Sequence, residues 1–236
     1  EYSRNKEQWI QGPDGIPVLK SGKFSGRTVS GKFIHGTDIH SLVRQYQQGV
    51  LAIDEGVGKL IKALKETGQY ENTLIVYGAD QGIAWGQKGF QMKLAPYDGT
   101  IRGPLIVSMP NKFPTGKVCK KPVGGTDLVP TFFKTAGLEL PWKMHGRDLT
   151  PLLTNPDRKD WKSPLLLAHT GMSFGEDCDE VIDMNNDPIY QKQRVPWWVS
   201  LRTDRYKYIR NLLPGEVEEL YDMKNDPEEL VNLATG

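Results

Sequence analysis

No stretch of this sequence approaches the roughly 20 consecutive apolar residues that span a bilayer, and no signal-peptide pattern stands at its start. An excess of one charge is also missing. Thirty Lys and Arg face 29 Asp and Glu over 236 residues, which argues against nucleic acid, a partner that demands a concentrated basic surface. Cysteine is scarce: Cys119 and Cys178 are the only two, and neither has a second Cys or a His at metal-ligand spacing. They read as free thiols, with pairing left open. There is no Asn-x-Ser/Thr sequon, no internal repeat and no low-complexity tract. The first residue is Glu1, not Met, so the expectation is a chain that starts partway through a longer product.

What is present is an ordinary globular composition, long enough for one core with a smaller subdomain. Residues 1–38 are rich in Gly, Ser, Lys and Pro and read as loop. Lys20, Lys23, Arg27 and Lys32 are solvated there or line an anion site, and His35 and His40 read as surface or capping residues. From about Ser41 to Lys65, Val43, Tyr46, Val50, Ile53, Val57, Leu60, Ile61 and Leu64 recur every three or four residues. That period predicts an amphipathic helix, capped by Asp38 or Ser41 and ended at Gly68. Leu74-Ile75-Val76-Tyr77 follows as a short apolar run without alternation, the pattern of a strand buried on both faces. Helix, connector and strand together predict an αβ unit of a parallel sheet.

Ala79-Asp80-Gln81-Gly82 ends that strand abruptly. Asp80 and Gln81 offer two hard oxygen donors where open α/β sheets place their ligands, the donor type that Ca²⁺ prefers. Downstream come Lys93, Tyr97, Asp98, Ile101, Arg102 and Pro104, then a Leu-Ile-Val strand. This order and spacing resemble a block of the type I, formylglycine-dependent sulfatases, within the alkaline-phosphatase-like superfamily. The resemblance extends over about Gln45 to Leu233 and includes Thr126-Asp127 through Gly137 and His145-Gly146-Arg147-Asp148, read as packing and turn residues. Only the C-terminal portion of such an enzyme is matched.

The resemblance implies a fold: part of a mixed, mainly parallel sheet flanked by helices, then a small antiparallel C-terminal sheet with a terminal helix. The expected division is 1–153 for the catalytic core and 154–236 for the subdomain. In the latter, Leu165 to Ala168, Trp197 to Arg202, Tyr206 to Arg210 and Glu218 to Tyr221 read as strands, with a turn at Thr203-Asp204-Arg205. Asp226-Pro227-Glu228-Glu229 reads as the start of the last helix, and residues 171–196 as an acidic, insertion-like loop.

The resemblance also implies chemistry. Asp80 and Gln81 would be Ca²⁺ ligands, and Lys93 would be catalytic, contacting the substrate sulfate. Arg102 would brace the turn before Pro104. Gly86-Gln87-Lys88-Gly89 stands where sulfatases often have Gly-Glu-His-Gly, so Lys88 is a candidate substrate contact in place of the histidine. The nucleophile is not found: neither Cys119-Lys120-Lys121-Pro122 nor Cys178-Asp179-Glu180-Val181 fits the family's Cys/Ser-x-Pro/Ala-x-Arg motif. The expectation is that the formylglycine lies in a missing N-terminal portion, that this chain alone is inactive, and that an exposed sheet edge invites self-association. A sulfated carbohydrate or aryl sulfate would be the substrate, and the setting secreted, periplasmic or lysosomal. The rival readings are a phosphodiesterase or phosphonate hydrolase of the superfamily, and a non-catalytic binder of sulfated glycans.

Overall fold

Ten strands and five helices are described by the computed structural model, which covers residues 9–11, 17–19, 39–162 and 164–234. In chain order these are β1 (Trp9–Gln11), β2 (Pro17–Leu19), α1 (Ile39–Glu66), β3 (Ile75–Gly78), β4 (Ala84–Trp85), β5 (Gln91–Met92), α2 (Asp98–Ile101) and β6 (Leu105–Ser108). They continue with α3 (Leu128–Ala136), α4 (Thr150–Thr154), β7 (Leu165–His169), α5 (Pro188–Gln193), β8 (Trp198–Arg202), β9 (Tyr206–Asn211) and β10 (Glu219–Asp222). Lys20, Lys23, Arg27, Lys32, His35 and Asp38 lie outside the described residues, as do the side chains of His40 and Ser41. Within the region expected to be loop, β1 and β2 pair antiparallel. Among the described residues no helix is long and apolar enough to cross a membrane.

Two compact units make up these elements. The first takes Gln81–Gly103 and Ser163–Gly236 together with the β1/β2 pair; the second takes Gly36–Asp80 and Pro104–Lys162. Residues 81–103 thus group with the C-terminal sheet rather than with the rest of 1–153.

The second unit contains the 28-residue helix α1, three residues longer than the apolar period at its core. Its stripe is present, but Tyr46, Val50, Ile53 and Leu60 remain exposed among the described residues. β3 pairs with β6, and the pairing is antiparallel, Ile75 opposite Ser108 and Gly78 opposite Leu105. For this one pair the direction differs from the parallel one expected. A parallel neighbour needs a crossover that carries the chain back to the same end. Here the chain leaves β3 at Asp80 and returns at Arg102 on the same end, and the Ala79 N–H donates to Pro104 O at 3.3 Å. Every strand pairing among the described residues is antiparallel. β3 is half-buried rather than sealed on both faces. In the same unit Asp127 precedes α3, and its buried carboxylate accepts from Gly124 N and Arg147 N while pairing with the Arg147 guanidinium at 2.9 Å.

The first unit is built on the sheet β10-β9-β8-β7, four antiparallel strands close to those expected from the sequence. Alternation along β9 turns Lys207, Ile209 and Asn211 inward, and β10 turns Glu219 and Tyr221 inward. The core joins Val195, Trp198, Ile209, Tyr221 and Met223 from this sheet region to Ala84, Phe90, Ala95 and Tyr97 from the segment after β3. The expected terminal helix is absent among the described residues: a turn stands at Asp226–Glu229. Glu229 has φ 57, incompatible with helix, and its carboxylate turns inward to meet Lys207 at 2.6 Å. The 171–196 stretch is more ordered than a solvated loop. Asp187 caps α5 by accepting from Ile189 and Tyr190 N–H, and also accepts from Trp197 Nε1 at 2.7 Å.

Candidate active site

The segment between β3 and β6 carries all four residues singled out by sequence. Asp80 lies two residues past the end of β3 and is exposed; Gln81 is half-buried and adjoins it through the chain. Gly82 comes next, at a neck where a side chain has no room. A Cβ there would lie 2.8 Å from Arg102 O and 2.9 Å from Gly99 O, both backbone atoms. Only glycine lets the chain pass this close to the backbone of α2 and Arg102, so the placement of Gln81 depends on it. Arg102, expected to brace the turn, is exposed.

β4 and β5 form a two-residue hairpin whose tip is a turn over Gln87–Gly89. Lys88 sits at this tip with φ 53. Its ammonium is half-buried, 4.2 Å from the centroid of the Tyr97 ring and 4.5 Å from that of Tyr221. It donates to Tyr221 Oη at 3.1 Å. Tyr221 Oη in turn donates to Glu219, which also accepts from Tyr97 Oη at 3.0 Å. Burial pushes Lys88 down to about 8, against the pull of Glu229, Glu219 and Asp226 and with Lys207 adding to the depression. Burial, reinforced by Glu219, holds the Tyr221 phenol above the ordinary range. Lys88 is therefore seated on an aromatic box, the cation–π arrangement, within the first unit.

Lys93 follows β5 at a bend and is half-buried. The residues after it are fixed at several points to the C-terminal sheet. Leu94 O accepts from Trp198 Nε1 at 2.8 Å. Tyr97 Oη donates to Glu219, and Asp98 N donates to Glu229 at 2.8 Å. Lys207 Nζ lies 2.9 Å from Asp98 and 2.6 Å from Glu229. Lys207 is fully buried and Glu229 nearly so, and burial, offset in part by Lys207, raises the Glu229 carboxyl above its ordinary value. Buried charges survive only when paired in this way.

A Ca²⁺ ion takes 6–8 oxygen ligands. The Asp80 carboxylate and Gln81 side-chain carbonyl are of the right donor class, and Asp80 is open to solvent. They fit a share of such a site. Among the described residues no group of three or more His, Cys, Asp or Glu is placed to hold a metal, so further ligands would come from elsewhere.

Sequence reasoning missed Trp198, Lys207, Glu219 and Glu229. A signal existed for Lys207: it shares the strand period of Ile209, which places both on one face.

Comparison with known proteins then gives two family matches. Residues 4–138 match the family described as Sulfatase, and residues 86–236 match N-sulphoglucosamine sulphohydrolase, C-terminal. An N-acetylglucosamine-6-O-sulfatase of Bacteroides thetaiotaomicron is 29% identical over 233 residues, covering 98% of this chain and 38% of the relative. Among solved structures, one protein in complex with its substrate D-glucosamine-2-N,6-O-disulfate is 29% identical with a TM-score of 0.62, covering 79% of this chain and 35% of that one. A phosphonate monoester hydrolase from Silicibacter pomeroyi is 28% identical with a TM-score of 0.68, covering 85% of this chain and 38% of that one. The chain thus spans 38% of the length of the curated relative and less than two fifths of both solved chains.

Proposed function

Because this chain belongs to the sulfatase family, we propose that it is the C-terminal portion of an enzyme that hydrolyses sulfate esters of a carbohydrate or aryl alcohol. The observation that carries the reading is the match to sulfatase descriptions over 4–138 and 86–236, together nearly the whole chain. In this reading residues 1–153 belong to the α/β catalytic core and 154–236 to its C-terminal subdomain, with 81–103 the part of the core that groups with the subdomain's sheet. A sulfated saccharide is favoured because the glucosamine-disulfate complex and the N-acetylglucosamine sulfatase are among its relatives.

The roles follow from side-chain chemistry. The Asp80 carboxylate and Gln81 carbonyl hold part of a divalent cation site. The Lys93 ammonium contacts the sulfuryl oxygens and stabilises the charge that grows on them as the ester bond breaks. Lys88 is a weaker candidate for substrate contact, because its ammonium is engaged by Tyr97 and Tyr221. A bound Ca²⁺ would supply positive charge to the sulfate, and a formylglycine, for which neither Cys119 nor Cys178 has the motif, would supply the nucleophile.

The second reading, hydrolysis of phosphonate or phosphate diesters, is favoured by the phosphonate hydrolase among the structural relatives. Matched sulfate and phosphate esters assayed on the complete protein decide between them. Preference for the sulfate ester, lost in Asp80→Ala and Lys93→Ala, is expected; preference for the phosphorus ester by orders of magnitude overturns the sulfatase reading.

A further inference from the structure

Leu94, immediately after Lys93, has φ 83. Leucine adopts this left-handed region only where the surroundings over-determine the backbone. Trp198 fixes the peptide on the C-terminal side of this residue. It is the first residue of β8, buried in the core of the first unit, and its indole N–H donates to the Leu94 carbonyl at 2.8 Å. The Leu94 side chain packs against the same core. On the other side the chain is anchored again, with Tyr97 bonded to Glu219 and Asp98 to Glu229 and Lys207. Residues 95–101 are therefore fixed, and Leu94 is the joint between them and Lys93. Returning φ from 83 to the ordinary negative range would turn the Lys93 backbone by roughly 140° or more against that anchored segment.

We propose that Trp198 is a positioning residue for Lys93: its indole N–H fixes the Leu94 carbonyl, and with it the peptide plane from which the left-handed Leu94 sets the direction in which Lys93 leaves the chain. This rests on the reading of Lys93 as the sulfate contact. Trp198 does not touch substrate. It acts through one carbonyl oxygen, and its contribution is realised only when the Lys93 ammonium is present.

A double-mutant cycle on the complete protein tests this, with kcat/KM for a sulfate ester as readout. Trp198→Phe keeps a ring in the core and removes the donor. It should lower kcat/KM about tenfold in the wild-type background, the scale of one hydrogen bond to a buried acceptor. In the Lys93→Ala background the same change should have less than about a twofold effect, because the group it positions is gone. Equal losses in both backgrounds would mark Trp198 as merely structural and overturn the proposal. So would an unchanged rate for Trp198→Phe beside a strong loss for Lys93→Ala. Native turnover in Lys93→Ala alone would instead overturn the role of Lys93, and the positioning proposal with it. Should Trp198→Phe not fold, Leu94→Val takes its place: its branched side chain opposes φ 83 and leaves Trp198 intact. It should give the same tenfold loss that vanishes without Lys93, and a loss that persists without Lys93 overturns the proposal.

Discussion

The ammonium of Lys207 lies 2.6 Å from a Glu229 carboxylate oxygen, and both side chains are shut off from solvent. Asp98 completes the pairing at 2.9 Å. Removing the cation leaves the buried Glu229 carboxylate and the partly exposed Asp98 carboxylate with no positive charge between them. Breaking a buried pair from one side costs about 3–5 kcal/mol, so Lys207→Met should lower the unfolding free energy by that order in a denaturant titration. A loss below about 1 kcal/mol would show that the three groups are not coupled as described.

Lys88 gives a pH-dependent prediction. Its folded-state value of about 8 lies below the ordinary 10.5. Between those values the unfolded chain binds a proton that the folded chain does not, so the Lys88 contribution to stability rises with pH across this window. Below it both states are protonated, and the contribution is constant. The wild-type unfolding free energy should therefore gain on that of Lys88→Met from pH 8 to 10.5. A flat or falling difference contradicts the placement of Lys88 on the two tyrosine rings.

In the second unit, a Cβ at Gly146 would sit 1.8 Å from the Thr126 carbonyl oxygen. Gly146→Ala must displace backbone beside Asp127 and should lower the melting temperature clearly. Asp127→Asn should cost about 3 kcal/mol by leaving Arg147 without its charge partner. Burial opposes ionisation of Asp127, but the bonds from Arg147 and Gly124 outweigh it and hold the carboxyl below its ordinary value of 3.8. The stabilisation is thus present above that value and is lost as pH falls through the lower folded-state value. Asp127→Asn should remove this acid dependence, and an unchanged acid profile would contradict it.

The C-terminal strands were legible because their β-branched and aromatic runs are short and Thr203-Asp204-Arg205 punctuates them. β9 and β10 fall within a residue of expectation at each end. The antiparallel pairing of β3 with β6 was not legible, since direction depends on where the intervening excursion returns, not on the composition of either strand. Glu229 misled for a related reason. Acids after Asp226-Pro227 fit a helix start, yet the carboxylate is claimed by Lys207 on β9. The motif from Lys93 to Pro104 marked the candidate site, but not that Trp198 and Glu219, more than 100 residues away in sequence, fasten it.

In the proposed function Lys93 acts on a sulfate ester. The most direct test of this role is kcat/KM of the complete protein on matched sulfate and phosphate esters, with and without Lys93→Ala. A sulfate preference is expected, with a loss of about 10²–10³ in sulfate turnover on removing the ammonium. Sulfate-ester turnover that survives Lys93→Ala unchanged would contradict it.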